Sequence, residues 1–409
     1  MNSNIENIID EEKLFATEMV RPIRVLLWCP YGITLLGGGA GLNSQRLYQA
    51  AKDGQVSVTV VHGMNEHPDI EGFCELVKMG RLSKPSKVLE HVVFLCRSWL
   101  WLRKNVNDYD VFHGIDAYEA TISPAVWAKK RGVPVIIKPA NHTSIGPTYS
   151  WRRIFNRPRA RAKAMAGMEG VVAISQMIHN DLLAIGIPQN RVFDIPNGID
   201  CRRYRPVDHS KRIALRESLG IPQDEFCILS VAGLRPTKRI EWSLEALKLV
   251  VERGLNARLY LVGNQRTGEY LRYLKARILA LGISEQVVFV GEVDDTVPYY
   301  QAADAFCLTS KNEGMPNSLL EAMACGQCCL VTPVSGSSDI VDDGIDGYFI
   351  TNPAELAVRL TELMRDPARR QQLGEAARLK AQEYSLEIVW KKYFELLKRV
   401  SSTAIGEAR

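Results

Sequence analysis

Short apolar runs alternate with stretches of helical periodicity along most of this chain, and few folds accommodate that alternation. The first series of runs lies at 23–29 (IRVLLWC), 56–62, 110–114 (DVFHG), 133–138, 170–175 and 191–196, with helical patterns at 40–52, 84–106, 118–131 and 176–185. A second series follows at 226–233, 257–263, 286–291, 305–310 and 328–333, with helical patterns at 239–253, 268–281, 318–325 and 353–364. Runs that are apolar throughout are strands buried on both faces, as in a parallel sheet covered by helices. The expectation is an α/β fold of two doubly wound, Rossmann-like domains in tandem. The 409 residues also exceed what one ordinary core holds. The break falls after PNGID (196–200), where Asn197-Gly198 tolerates the positive φ of a turn. This places the domains at 1–205 and 206–383. Beyond them, 384–400 repeats apolar residues at helical spacing. The segment 384–409 is read either as a closing helix joined to the first domain or as an ordinary terminal helix.

Composition removes several function classes. A chain 46% hydrophobic and 24% charged is globular, neither disordered nor fibrous. A net charge of +5 is too small to point to a nucleic-acid partner. No run approaches the roughly 18 apolar residues of a membrane span. The opening MNSNIENIIDEEKLF is acidic where a signal peptide is basic, so a cytoplasmic location is expected. The nine cysteines are odd in number and mostly lie in apolar runs, as buried thiols of a reducing compartment do. Cys325 and Cys328 form a CxxC, but no second pair or nearby histidine completes a zinc site, and no metal is expected.

The most informative segment is SKNEGMPNSLLEAMACGQCCLVTP (310–333). A strand ends near Thr309, Glu313 and Gly314 precede a helix, and Pro316 favours its start, with Asn317 or Ser318 available as caps. The N–H groups of Asn317, Ser318, Leu319 and Leu320 are then expected to be open donors. A helix start at the carboxyl edge of a parallel sheet is a site for a phosphate. Glu313 before the helix and Glu321 one turn inside it flank such an anion. Carboxylates there suit hydroxyl groups, a sugar on one side and a ribose on the other. Taken singly, each acid also suits a solvated helix start. In the first half, GGGAG (37–41) follows a strand, but a dinucleotide fingerprint fails: position 42 is Leu42, and the second strand ends in His62 where an acid would hold a ribose.

The segment Glu313, Gly314, Pro316, Glu321, Ala322, Met323, Ala324, Gly326 resembles the signature of the retaining glycosyltransferases of family 4, also called group 1. Their pattern has two glutamates separated by seven residues. Four further stretches match in family order: GGGAGLNSQRLYQAA (37–51), residues 171–200, VAGLRPTKRIEWSLEAL (231–247) and residues 287–310. The resemblance covers about residues 22–400 and implies a GT-B fold, two Rossmann-like domains facing each other across a cleft. It further implies that Gly38 and Gly39 bring backbone N–H groups to a donor phosphate, and that Lys238 faces the same phosphate. Gly233 stands where the family has an arginine, and Arg235, two residues on, is the candidate to replace it. Gly314, Asn317, Ser318, Leu320 and Glu321 complete the implied donor site, with Glu313 and Lys238 as the catalytic pair. His113 and His142 lie on the implied acceptor side. The family often has a second histidine where this chain has Ile115, with Asp116, Glu119 and His142 as residues able to reach that region, so no general base is assigned.

The implied activity is a hexosyltransferase-type transfer, with retention, from a nucleotide-diphosphate sugar to a hydroxyl of a glycan or polyprenyl-linked acceptor, in polysaccharide or glycoconjugate synthesis. The nucleotide sugar is a co-substrate and no cofactor is implied. Without a D-x-D motif, cationic side chains rather than a metal are expected to neutralise the leaving diphosphate. Two alternatives remain open: a GT-B sugar-nucleotide epimerase, and a non-catalytic GT-B subunit that positions a partner. Trp99 and Trp101 beside Arg97, Arg103 and Lys104, with six basic residues in 152–163, fit either a peripheral contact with an anionic membrane at its inner face or a core helix with a solvated face.

Overall fold

The computed structural model describes residues 21–30, 39–49, 51, 54–62, 74–78, 87–140, 145, 158–264 and 268–406. Gly38, His142 and the 152–157 part of the basic cluster lie outside them. Two parallel sheets organise the described chain. The first has seven strands, β1 (Ile23–Cys29), β2 (Val56–His62), β3 (Cys74–Lys78), β4 (Val111–Ile115), β5 (Val135–Lys138), β6 (Gly170–Ala173) and β7 (Val192–Asp194), in the order β3-β2-β1-β4-β5-β6-β7. The second has six, β8 (Phe226–Val231), β9 (Ala257–Val262), β10 (Val287–Gly291), β11 (Ala305–Leu308), β12 (Cys328–Val331) and β13 (Gly347–Phe349), in the order β10-β9-β8-β11-β12-β13. Every paired strand is parallel. The central strands are buried on both faces, as their uninterrupted apolar runs require.

Helices on the first sheet are α1 (Gly39–Gln49), α2 (Lys87–Asn105), α3 (Glu119–Lys130), α4 (Pro158–Ala166) and α5 (Gln176–Ala184). Those around the second are α6 (His209–Leu219), α7 (Ile240–Glu252), α8 (Gly268–Leu281), α9 (Val297–Ala302), α10 (Asn317–Ala324), α11 (Pro353–Arg365) and α12 (Pro367–Gln382). The last, α13 (Leu386–Gly406), packs back onto α1, β1 and β4 of the first sheet. The chain therefore crosses between the sheets twice, and the crossings lie side by side. Ile199 N–H donates to the Tyr384 carbonyl at 2.8 Å, and Leu386 N–H donates to the Ile199 carbonyl at 3.0 Å. Gly198 packs closely here: an added Cβ would come within 2.8 Å of Leu386 Cδ2 and displace that side chain.

Several elements differ from expectation. β3 carries charges at Glu75 and Lys78 and lies at an edge, where one paired neighbour suffices, so it has no apolar signature. Its presence makes β4 the fourth strand, with His113 at its centre. Helices α4, α6, α9 and α12 and strand β13 also appear where none was expected. In α12 the buried positions Leu373, Gly374, Ala377 and Ala381 are mostly small, which weakens the apolar stripe. The cysteines are buried at 29, 227, 307, 325, 328 and 329, but Cys96 is exposed and Cys201 half-buried. Burial raises the Cys325 and Cys328 thiols well above their ordinary range, the latter to about 12. No group of three candidate metal ligands occurs among the described residues.

Candidate active site

Strand order reverses between β8 and β11 in the second sheet, as it does between β1 and β4 in the first. A crevice opens at the carboxyl ends of such strands, because the chains leaving them go to opposite sides. The residues picked out from sequence leave β8 and β11 together. From β8 come Gly233, Arg235 and Lys238, the last in a turn at Pro236–Lys238. From β11 come Ser310, Glu313 and Gly314, followed by α10. Lys238 Nζ lies 2.5 Å from Glu313 Oε1, which also receives the Ser310 hydroxyl at 2.5 Å. Both partners of the ion pair keep some access to solvent. Arg235 is exposed, with its Nε 3.8 Å from where a Cβ on Gly233 would lie.

The start of α10 differs in detail from expectation. Pro316, not Asn317 or Ser318, is its cap, and no side chain caps it. Leu319 and Leu320 both donate to the Pro316 carbonyl, so these two N–H groups are not open donors. The Asn317 carboxamide instead accepts from Asn197 Nδ2 at 3.0 Å, and Asn197 Nδ2 also donates to the Met315 carbonyl. The turn signal that marks the crossing thus also ties the first-domain side to the helix start.

Glu321 is buried, at 7% exposure, and its carboxylate is held from both sides. Arg46 Nη1, from α1 of the first sheet, donates to Oε1 at 2.9 Å, and the Tyr300 hydroxyl donates to Oε2 at 2.9 Å. Arg46 also donates to the Tyr204 hydroxyl at 3.2 Å. Burial works against the Arg46 charge, but Tyr204 and Glu321 outweigh it and raise its pKa. Burial, reinforced by Glu321, lifts the Tyr300 phenol well above its ordinary range, so it remains a donor. Sequence reasoning missed Arg46, Tyr204, Tyr300 and Ser310. Arg46 lies within a glycine-rich stretch already singled out, but no local spacing links it to a glutamate 275 positions away.

On the first sheet, Gly39 opens α1. His113 is fully buried, with Nδ1 2.8 Å from the Tyr48 hydroxyl and Nε2 without a hydrogen-bond partner. Burial, and then the charge of nearby Lys138, lower its pKa to about 3. Within β4, His113 is packed out of contact with solvent and held by Tyr48, as a hydrogen-bonded core histidine is. Asp116 is better placed. It follows β4 directly, has the left-handed φ of 71°, accepts the Ala140 N–H at 3.4 Å, and is raised by burial to about 6.

Comparison with known proteins agrees with this arrangement. Residues 37–203 match the family described as Glycosyltransferase Family 4, and residues 211–380 match the one described as Glycosyl transferases group 1. The chain is 28% identical over 211 residues to the N-acetyl-alpha-D-glucosaminyl L-malate synthase of Bacillus anthracis, covering 51% of this chain and 53% of that protein. It is 30% identical over 249 residues to a D-inositol 3-phosphate glycosyltransferase of Geodermatophilus obscurus, covering 57% and 54%. The chain spans about half the length of the curated relatives it matches. Among solved structures, Anabaena HepE in complex with UDP and glucose superposes with a TM-score of 0.78 at 18% identity, over 92% of this chain and 99% of that one. Since the two family matches take up the two halves in order and the solved structures share the whole two-sheet architecture, this chain belongs to the group 1 glycosyltransferases of GT-B fold.

Proposed function

We propose that this chain transfers a hexose from a nucleotide-diphosphate sugar to a hydroxyl of a glycan or lipid-linked acceptor, with retention and without a metal ion. The observation that carries the reading is the pairing of Lys238 with Glu313 across the two loops that leave adjacent strands at the order reversal. As the glycosidic bond breaks, negative charge grows on the diphosphate. In this reading Lys238, Arg235 and the N–H groups of Asn317 and Ser318 meet it, a donor set worth several kcal/mol when preorganised. Glu313, beside Lys238, accepts a hydroxyl of the donor sugar. Glu321, oriented by Arg46 and Tyr300, accepts ribose hydroxyls on its remaining lone pairs. Retention follows from attack on the face the diphosphate leaves, with the diphosphate taking the acceptor proton. In this reading Gly39, Gly314, Asn317 and Ser318 belong to the donor side and Asp116 to the acceptor side, with the domains divided at 205/206.

Several curated relatives are named for polysaccharide or lipid-linked substrates, which supports an acceptor of that class. Thermal-shift screening of nucleoside diphosphates and their sugars identifies the donor, since selective binding stabilises the native state. Release of nucleoside diphosphate only when an acceptor is present, and undiminished in EDTA, is the expected outcome. Turnover of the nucleotide sugar without release points to an epimerase, binding without turnover to a non-catalytic subunit, and recovery of lost activity by magnesium or manganese overturns the metal-free site.

A further inference from the structure

Arg239 follows the catalytic lysine and has no part in the reading above. Among the described residues it is one of two non-glycines in the left-handed backbone region, with φ 46° and ψ 45°, at the junction between the Lys238 turn and α7. A Cβ disfavours that conformation, and it persists only where the surroundings hold it. Here they do. Arg239 Nε donates to the Thr309 carbonyl and Nη2 to the Ser310 carbonyl, both at 2.9 Å. The Thr309 hydroxyl is placed to donate back to the carbonyls of Lys238 at 3.0 Å and Arg239 at 2.9 Å. Lys311 N–H donates to the Thr237 carbonyl at 2.8 Å. The guanidinium lies 3.8 Å from the centre of the Trp242 ring. Forking to two acceptors while stacking on an indole is a task for a planar guanidinium and not for an ammonium.

The two carbonyls that Arg239 holds begin the loop of Glu313. Ser310 and Lys238 both bond to the same Glu313 oxygen. The contacts therefore close into a ring: Lys238 to Arg239 along the chain, Arg239 to Ser310, Ser310 to Glu313, and Glu313 back to Lys238. We infer that Arg239 is a positioning residue, whose side chain fixes the Glu313 loop relative to Lys238 at the cost of a strained backbone. This rests on the reading of that pair as the donor site.

The test exploits the strain. Arg239→Gly suits the left-handed turn while removing the fork and the stacking on Trp242, so relief of strain offsets the lost contacts and the melting temperature should stay close to that of the parent. Its kcat should nonetheless fall about 10- to 100-fold, as small misplacements of reacting groups do. Donor KM should move less, and amide exchange over 309–316 should quicken. Arg239→Lys, which keeps the charge without the fork, should recover only part of kcat. A merely structural arginine would give the opposite pattern, a lower melting temperature with intact turnover. Parental kcat in Arg239→Gly overturns the inference, as does a lower kcat with unchanged exchange. Should the parent chain transfer no sugar from any donor, the proposed function fails. Exchange over 309–316 then decides the role of Arg239 alone, and unchanged protection refutes it.

Discussion

Lys138 ends β5 with no exposed surface and no carboxylate partner among the described contacts. Its ammonium donates to Asn43 Oδ1 at 3.2 Å, Asn43 donates to the Gly198 carbonyl at 2.7 Å, and the Tyr393 ring lies 5.7 Å away. Burial lowers its pKa from 10.5 to about 7. Between those values the unfolded chain holds more protons than the folded one, so stability rises with pH through that window, and below it the penalty is fully present. Lys138→Met should raise stability at pH 7 by about 1–2 kcal/mol and flatten the rise of melting temperature from pH 7 to 10. A loss of stability in a melting series would show that the amine is structurally required. The two glutamates separate at the same scale. Glu321→Ala should cost about 1.5–3 kcal/mol of donor affinity, as a lost charged hydrogen bond does, and leave saturating turnover less affected. Glu313→Gln should lower turnover more than affinity, because its contacts change as the glycosidic bond stretches. Calorimetry beside saturating rates checks both, and the reversed pattern would exchange their roles. Both acids were legible in the sequence from their spacing. Their partners Arg46, Tyr300 and Ser310 were not, because a partner is chosen by position in space.

At the scale of elements, the loop between β11 and α10 is shaped by a second loop pressed against it. Gly336 has φ 75°, and a Cβ added there would come within 2.4 Å of the Gly314 carbonyl oxygen and 2.9 Å of Met315 Cα. Both are backbone atoms and cannot swing aside. Gly336→Ala should therefore destabilise by about 1–3 kcal/mol through strain at positive φ and lower turnover by displacing Glu313. Urea unfolding with an unchanged m-value measures the first effect. Unaltered stability would mean the two loops are free to part. Other helix starts are capped by side chains in the ordinary way. Asn352 caps α11 by accepting the Glu355 N–H at 2.9 Å, and Asp208 caps α6 by accepting the Lys211 N–H at 2.8 Å. The α10 start obeyed no such rule, since the side chain of Asn317 is drawn to Asn197 across the crossing.

Across the whole molecule, the contacts that hold the two halves together include Arg46 with Glu321, Asn197 with Met315 and Asn317, the Gln176 N–H with Asp339 at 2.8 Å, and Arg203 with Asp295 at 2.9 Å. The outer face of the first half differs in character. On α2, Trp99 is 45% and Leu100 57% exposed, and Arg103 stacks on Trp99 at 4.7 Å. Arg159 and Lys163 are exposed on α4, and both helices pack on α3. Arg161 does not join them: it is buried and donates to the Ala117 carbonyl at 2.9 Å, which removes one charge from the basic cluster. No helix of the described residues is long and apolar enough to cross a membrane. The expected contact is peripheral, so the protein should bind anionic vesicles better than neutral ones, and less as salt rises. Equal binding to both at low salt would return this face to solvent.

What the sequence determined by itself was everything carried by local pattern. Uninterrupted apolar runs specify buried parallel strands wherever they fall, and the order of strands and helices specifies two wound sheets. A motif as short as 310–333 keeps Glu313, Pro316 and Glu321 within one loop and one helix turn, so their chemistry could be read in place. Tertiary structure decided what depends on residues far apart. An edge strand such as β3 needs little apolar character, because one neighbour completes half its hydrogen bonds and its other edge need not be buried. Whether Arg161 or Cys96 faces the core depends on how a half-apolar helix rotates against its neighbours. Glu321 meets Arg46 only because α13 and the paired crossings at 199 and 385 bring the two sheets together, and that closure is settled by packing over the whole chain.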